Sequence, residues 1–186
     1  MSGGPVNFWV RWRVAAGYPL ALICFYFARP GCRSIAEGAI VVIIGLAIRC
    51  AAAGIVRKGE HLATSGPYAW TRNPLYLGST VLAVGFGLAA HSWTVAVVAA
   101  VYIAVFYPYV IKREERDLRE RFGAQFDAYS SRVSVFFPWP SRQPVGEPAF
   151  SWAQYLRNHE YRAAVGTVAA LGILALRMWL RIRFGV

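Results

Sequence analysis

The chain has 186 residues, of which 57% are hydrophobic and 16% charged, with a formal net charge of +11. Soluble domains carry about a quarter charged residues, and the apolar excess here lies in long runs, which argues against a water-soluble globule and for one domain in a bilayer. The basic residues flank those runs instead of gathering on one face among exposed aromatics, which argues against a nucleic-acid surface.

Five apolar stretches follow one another. Residues 14–28 lie between Arg13 and Arg29 and reach only about 22 Å at 1.5 Å per residue, so the flanking arginines must snorkel or the helix must extend. Other apolar runs follow and no Ala-x-Ala site ends this one, so a cleaved signal peptide is not expected. Residues 35–56 form a second span interrupted by Arg49, a costly charge at that depth that must face the bundle or snorkel. Residues 75–90 and 93–111 are joined only by His91 and Ser92, which predicts a tight antiparallel hairpin. Residues 163–180, with Arg177 near the far end, make the fifth span or else an interfacial helix.

With the N-terminus on one side, that side collects Arg11, Arg13, Arg57, Lys58, Arg72, Lys112, Arg113, Arg116, Arg119, Arg121, Arg132, Arg142, Arg157 and Arg162. Arg29, Arg33, Arg177, Arg181 and Arg183 fall opposite. The positive-inside rule then predicts a multi-pass protein with its N-terminus and both large loops in the cytoplasm. The expected fold class is all-α, an integral membrane helical bundle of about five transmembrane helices. It forms a single membrane domain, residues 1–186, with a core at 55–140, a proline-bearing linker at 141–162 and a last helix at 163–180. Gly45, Gly54, Gly78, Gly85, Gly87, Gly166 and Gly172 sit within the spans, where small residues let helices approach closely.

Chemistry concentrates in two polar segments that border the same hairpin. One is Glu60–Tyr76, EHLATSGPYAWTRNPLY; the other is Lys112–Pro138, KREERDLRERFGAQFDAYSSRVSVFFP. One enters the hairpin and the other leaves it, so a shared cytoplasmic pocket is expected. Gly66-Pro67 and Asn73-Pro74 are turn signals, and Pro74 suits a first helical turn. The turns bring Tyr68, Trp70 and Tyr76 together, either as interfacial anchors or as a wall for a flat base or a sulfonium cation. Arg72 can hold a carboxylate through its planar fork or anchor at a phosphate headgroup. Glu114 and Glu115 follow an apolar helix. If that helix runs on to Phe122, the charge run becomes a solvated amphipathic face, and because neighbours point about 100° apart only one glutamate is expected to face the pocket easily. The basic residues of the run would then meet anionic headgroups. No dinucleotide or phosphate-loop motif is present. Cys24, Cys32 and Cys50 read as small buried hydrophobes. His61, His91 and His159 are far apart in sequence, and no metal site is expected.

At these residues the sequence resembles the isoprenylcysteine carboxyl methyltransferase and phospholipid methyltransferase superfamily of integral membrane methyltransferases. The first motif stands as Gly66-Pro67-Tyr68 and Arg72-Asn73-Pro74-Leu75-Tyr76, and the second as Glu114-Glu115, Leu118, Phe122-Gly123, Phe126, Tyr129 and Pro138. The resemblance covers about residues 55–140. It implies a non-Rossmann methyltransferase bundle that binds S-adenosyl-L-methionine at its cytosolic end. Glu60, His61, Leu62, Ala63, Tyr68, Asn73, Pro74, Leu75, Tyr76 and Glu114 would line the cofactor site, and Arg72 and Arg113 are the candidates for a catalytic role. A lipophilic small molecule or lipidated substrate would arrive from among the membrane lipids, entering laterally between helices. Asn73 stands where the family has a histidine, and Val110 where the carboxyl methyltransferases have an arginine. An amine acceptor, as in phospholipid N-methylation, would not need that arginine. Two other readings are an NADPH-dependent enzyme resembling the sterol reductases and a non-catalytic membrane adaptor.

Overall fold

A computed structural model describes residues 17, 19–57, 59–138 and 150–185, and these are helical throughout apart from turns and loops. Helix α1 covers the described residues 19–27. It is followed by α2 (Cys32–Ile55), a 3-10 turn (Gly66–Ala69), α3 (Pro74–Ala90), α4 (Trp93–Phe122), α5 (Ala124–Ser130), α6 (Trp152–Arg157) and α7 (Tyr161–Phe184). Among the described residues α2, α4 and α7 are long and apolar enough to cross a membrane, and α3 is a shorter apolar helix. Their outward faces are apolar: Ile40, Ile43, Val165 and Val168 are each more than 60% exposed. Faces of this kind are unfavourable in water, and in lipid they need no further cover. Part of the expected first span, with Arg11, Arg13, Lys58 and Arg142, lies outside the described residues.

The closest packing is between α2 and α3. A Cβ on Gly38 would meet the carbonyl oxygen of Gly85 at 2.5 Å, and one on Gly45 would meet that of Gly78 at 2.9 Å. Gly38 and Gly45, like Gly78 and Gly85, are seven residues apart, so each helix presents two notches on one face, and the two backbones touch antiparallel across them. The link at His91 and Ser92 is as short as expected, with His91 in the left-handed conformation (φ 47°) closing α3. The glycines nevertheless turn α3 toward α2 more than toward its hairpin partner α4. Gly87 makes only ordinary contact with Ala96, and Gly166 and Gly172 face open space, so those three do not set a helix approach.

Backbone groups left over at the helix ends are satisfied by neighbouring segments. At one end of the bundle Arg29 N–H donates to the carbonyl of Ala90 (2.7 Å) and Ser34 Oγ to that of Ala89 (3.1 Å). There Arg177 holds the carbonyls of Ala28 and Tyr26, over a small core of Ala28, Ala89, Ala90, Val95 and Leu174. At the opposite end α6 closes α2. Gln154 Nε2 donates to Val56 O (2.9 Å), and Asn158 Nδ2 to Ala53 O (2.8 Å) and Val56 O (2.9 Å). Of the stretch read as a linker, residues 141–149 lie outside the described residues, and α6 occupies part of the remainder.

Helix α4 runs unbroken through Pro108 to Phe122, so its charged last third extends from the apolar part and no acid sits at an early C-terminus. Gly123 then takes φ 49° and ψ −124°, a region essentially restricted to glycine. That reversal folds α5 back, packing Phe126, Tyr129 and Val133 against Leu62, Leu118 and Phe122. A second apolar core thus forms beyond the span and carries the loop from 59 to 73.

Candidate functional site

The two polar segments meet. Tyr129 Oη donates to the carbonyl of Tyr68 (2.7 Å), Arg72 N–H to that of Ser134 (2.8 Å), and Arg72 Nη1 to that of Ser130 (2.8 Å). Asn73 Nδ2 donates to Val135 O (2.9 Å), and Thr71 Oγ1 to the same oxygen (3.3 Å). Asn73 occupies the N-cap of α3, yet its side chain does not cap. It is spent on tying the loop to the chain beyond α5, and Pro74, needing no donor at that position, starts the helix without it.

Between the segments lies an open cavity of about 1100 Å³, lined from the ends of α2, α3, α4, α5 and α7. Its size is at the top of the roughly 300–1,000 Å³ typical of ligand sites, large enough for a cofactor-sized molecule. Nine of the ten expected cofactor residues line it: His61, Leu62, Ala63, Tyr68, Asn73, Pro74, Leu75, Tyr76 and Glu114. Glu60 lies outside and is exposed in the turn after Arg57. Arg72 lines the cavity, whereas Arg113 does not; Arg113 lies 4.0 Å from Asp117 on its own helix.

Where only one glutamate was expected, Glu114 and Glu115 both line the cavity, in different ways. Tyr76 Oη donates to Glu114 Oε1 at 2.7 Å, with Glu114 accessible. Glu115 instead faces Arg72: Nε and Oε1 are 2.9 Å apart, with the side chains only 12% and 21% exposed. The N–H points past the oxygen, and neither atom has a hydrogen-bond partner, so charge attraction alone compensates their burial. The carboxylate that Arg72 binds is therefore the protein's own. Glu114 is left as the accessible acid of the pair.

Tyr107 packs edge-on against Tyr76 at 5.0 Å, and Tyr102 joins it on the cavity wall. Both sit inside an apolar helix, where sequence reasoning passed over them; the seven-residue spacing of Tyr107 from Glu114 puts it on the α4 face that carries the acid. Arg49 was legible as an isolated charge, but its partner was not. Its guanidinium pairs with Glu160 at the start of α7 and donates to Ser79 Oγ and to Leu75 O (3.2 Å), with the two charged side chains 19% and 11% exposed. A lone charge within a span demands a partner, and the acid next to the last apolar run was available by that criterion. Burial pushes the phenols of Tyr68 and Tyr129 well above the usual tyrosine range, with Arg72 partly opposing the shift at Tyr129, so both remain protonated donors in the neutral range. Among the described residues no three His, Cys, Asp or Glu side chains gather where they can hold a metal ion.

An all-helical protein whose long apolar helices carry a polar cavity at one end is, by length and composition, a multi-pass membrane protein with a site built from its inter-helix segments. More specifically, the chain belongs to the phospholipid methyltransferase family, whose sequence profile matches residues 12–125. It is similar to the nickel-cobalt-cadmium resistance protein NccN of Alcaligenes xylosoxydans xylosoxydans, with 42% identity over 82 residues, 44% of this chain and 38% of that protein. It is also similar to the cobalt-zinc-cadmium resistance protein CzcN of Cupriavidus metallidurans, with 40% identity over 82 residues and the same shares. The match thus spans under two fifths of these curated relatives' length. No solved structure matches the chain.

Proposed function

We propose that the protein transfers a methyl group from S-adenosyl-L-methionine to a lipid-like acceptor held in the membrane. The observation that carries this reading is the cavity in which Tyr68, Tyr76 and Glu114 converge, because the family's two motifs contribute to one wall. Tyrosine faces suit a sulfonium cation, and an accessible carboxylate beside a phenol offers acceptors to an amino group or a ribose hydroxyl. When bound, the cofactor supplies an electrophilic methyl that leaves a neutral thioether behind. The residues of this chain would hold the two reactants in line, and positioning of that kind supplies most of the acceleration in such a displacement.

In this reading α1, α2, α3, α4 and α7 all cross the bilayer, with the N-terminus and the cavity on the cytoplasmic side. The basic residues on the outer part of α4 then lie at anionic headgroups. The relatives' names concern resistance to nickel, cobalt, cadmium and zinc.

Calorimetry on the detergent-purified protein tests the proposal. Binding of S-adenosylhomocysteine in the micromolar range is expected, with NADPH giving no heat. Saturable NADPH binding without S-adenosylhomocysteine binding would overturn the proposal in favour of a reductase.

A further inference from the structure

Helix α6 is amphipathic in the reverse sense of a helix on a water-soluble protein. Its inner side is polar: Gln154 is 7% exposed, and together with Asn158 it holds the carbonyls of Ala53 and Val56 at the end of α2. Residues four apart on a helix point within about 40° of each other, so the two amides share one face. Trp152 and Leu156 share the opposite face in the same way, and they are 66% and 56% exposed. Amides inside and an indole outside is the opposite of what water selects. The amides are stable there because they satisfy carbonyls that the end of α2 leaves open.

The outward apolar face extends beyond the helix itself. Ser151 N–H donates to Gly54 O (2.9 Å), and the preceding Phe150 lies so close on Gly54 that a Cβ there would fall 2.2 Å from its ring. Trp152 packs edge-on against Phe150 (5.0 Å) and Tyr155 (5.7 Å), which makes one aromatic cluster. Tyr155 in turn borders a shallow apolar crevice with Ile43, Leu46 and Ala47 of α2 and Ala164 of α7. The cluster is therefore continuous with the apolar outer surface of two helices long enough to cross a membrane. Arg157 and Arg162, both exposed, flank it.

The cluster is too small to hold a second copy of the chain. A fully buried aromatic side chain contributes about 150–250 Å², so three partly covered rings offer a few hundred, against about 800 Å² per partner in a stable interface. A bilayer boundary fits better. Indole and phenol rings settle at headgroup level, and flanking arginines meet lipid phosphates there.

We infer that α6 is an in-plane interfacial anchor, with Phe150, Trp152, Tyr155 and Leu156 seated between the headgroups and acyl chains of the leaflet at the cavity's end. Through Gln154 and Asn158 it fixes the end of α2 at that depth, and Val56 and Arg57 of this end line the cavity mouth. The anchor thus sets the height of the mouth above the hydrocarbon. This goes beyond the methyltransferase reading and does not depend on it.

The test uses the full chain, one copy per nanodisc, in phosphatidylcholine brominated either near the glycerol end or near the methyl end of its acyl chains. The emission of Trp152 is taken as the difference between wild type and Trp152→Phe. An indole at headgroup level is expected to be quenched about twofold or more better by the shallow bromines than by the deep ones, and only weakly by aqueous iodide. A nitroxide on Leu156→Cys, with Cys24, Cys32 and Cys50 replaced by alanine, gives a second reading if Trp152→Phe does not fold; it should be more accessible to oxygen than to a water-soluble nickel chelate. Strong iodide quenching with no effect of bromine would place the face in water. Stronger quenching by the deep bromines would place it in the hydrocarbon, and protection from all three quenchers would mean a protein contact. Each of these outcomes would overturn the inference.

Discussion

Tyr76 donates a 2.7 Å hydrogen bond to Oε1 of Glu114, 38 residues further along the chain. The bond spans the two ends of the α3–α4 hairpin and sets the cavity wall that the proposed cofactor would touch. Tyr76→Phe and Glu114→Gln are each expected to weaken S-adenosylhomocysteine binding about tenfold, the worth of one charge-assisted hydrogen bond. Calorimetry of both variants and the double variant checks this, and less than additive loss would show the pair acting together.

The Arg72–Glu115 pair should behave in the opposite way. Its removal leaves a largely buried charge without compensation, so Glu115→Gln is expected to lower stability by ~2–3 kcal/mol. At temperatures where the variant is folded, affinity for S-adenosylhomocysteine should stay within a factor of two of wild type. Thermal unfolding in detergent and calorimetry together separate this structural role from the role of Glu114.

The facing glycines give a packing prediction with its own control. Gly45→Val and Gly85→Val press a side chain into the opposing backbone and should each destabilise by about 1–3 kcal/mol or more. Gly166→Ala, where a Cβ meets nothing within 4 Å, should be neutral or stabilise by up to about 1 kcal/mol through helix propensity. Unfolding midpoints of the three variants in one detergent supply the comparison.

Alkaline stability follows from the buried phenols. Tyr68 and Tyr129 have folded-state pKa values raised above the unfolded value of about 10. The folded state therefore holds their protons more tightly, and this contribution to stability is fully present below pH ~10. It is lost as pH rises further, through the raised folded-state values. Melting temperature should be flat from pH 7 to about 9.5 on this account and fall above it. Tyr129→Phe should blunt the fall and cost about 1 kcal/mol for the bond to the Tyr68 carbonyl.

The apolar runs made the helices legible, since length and hydrophobicity are local properties. The described helices lie close to the five stretches marked from sequence, and the meeting of the two polar segments follows from the hairpin's short link. Three features were not local. The α2–α3 contact depends on Gly38 and Gly85 falling on facing stripes, which no single helix reveals. Arg72 found its carboxylate within the chain because α4 continues past the span and Gly123 turns α5 back. Arg49 is matched by Glu160 from 111 residues away, a pairing that only three-dimensional packing brings about. Glu60 and Arg113 neighbour true lining residues in sequence but point elsewhere, as adjacent positions on a turn or helix do.

Helix α4 is 30 residues long, about 45 Å at 1.5 Å per residue, against about 30 Å for a hydrocarbon core. Its outer third must stand in water while its base stands in oil. In the proposed reaction a water-soluble methyl donor and a greasy acceptor would therefore meet at that boundary without either leaving its own phase, the spent donor diffusing away from above while the modified product slips back sideways.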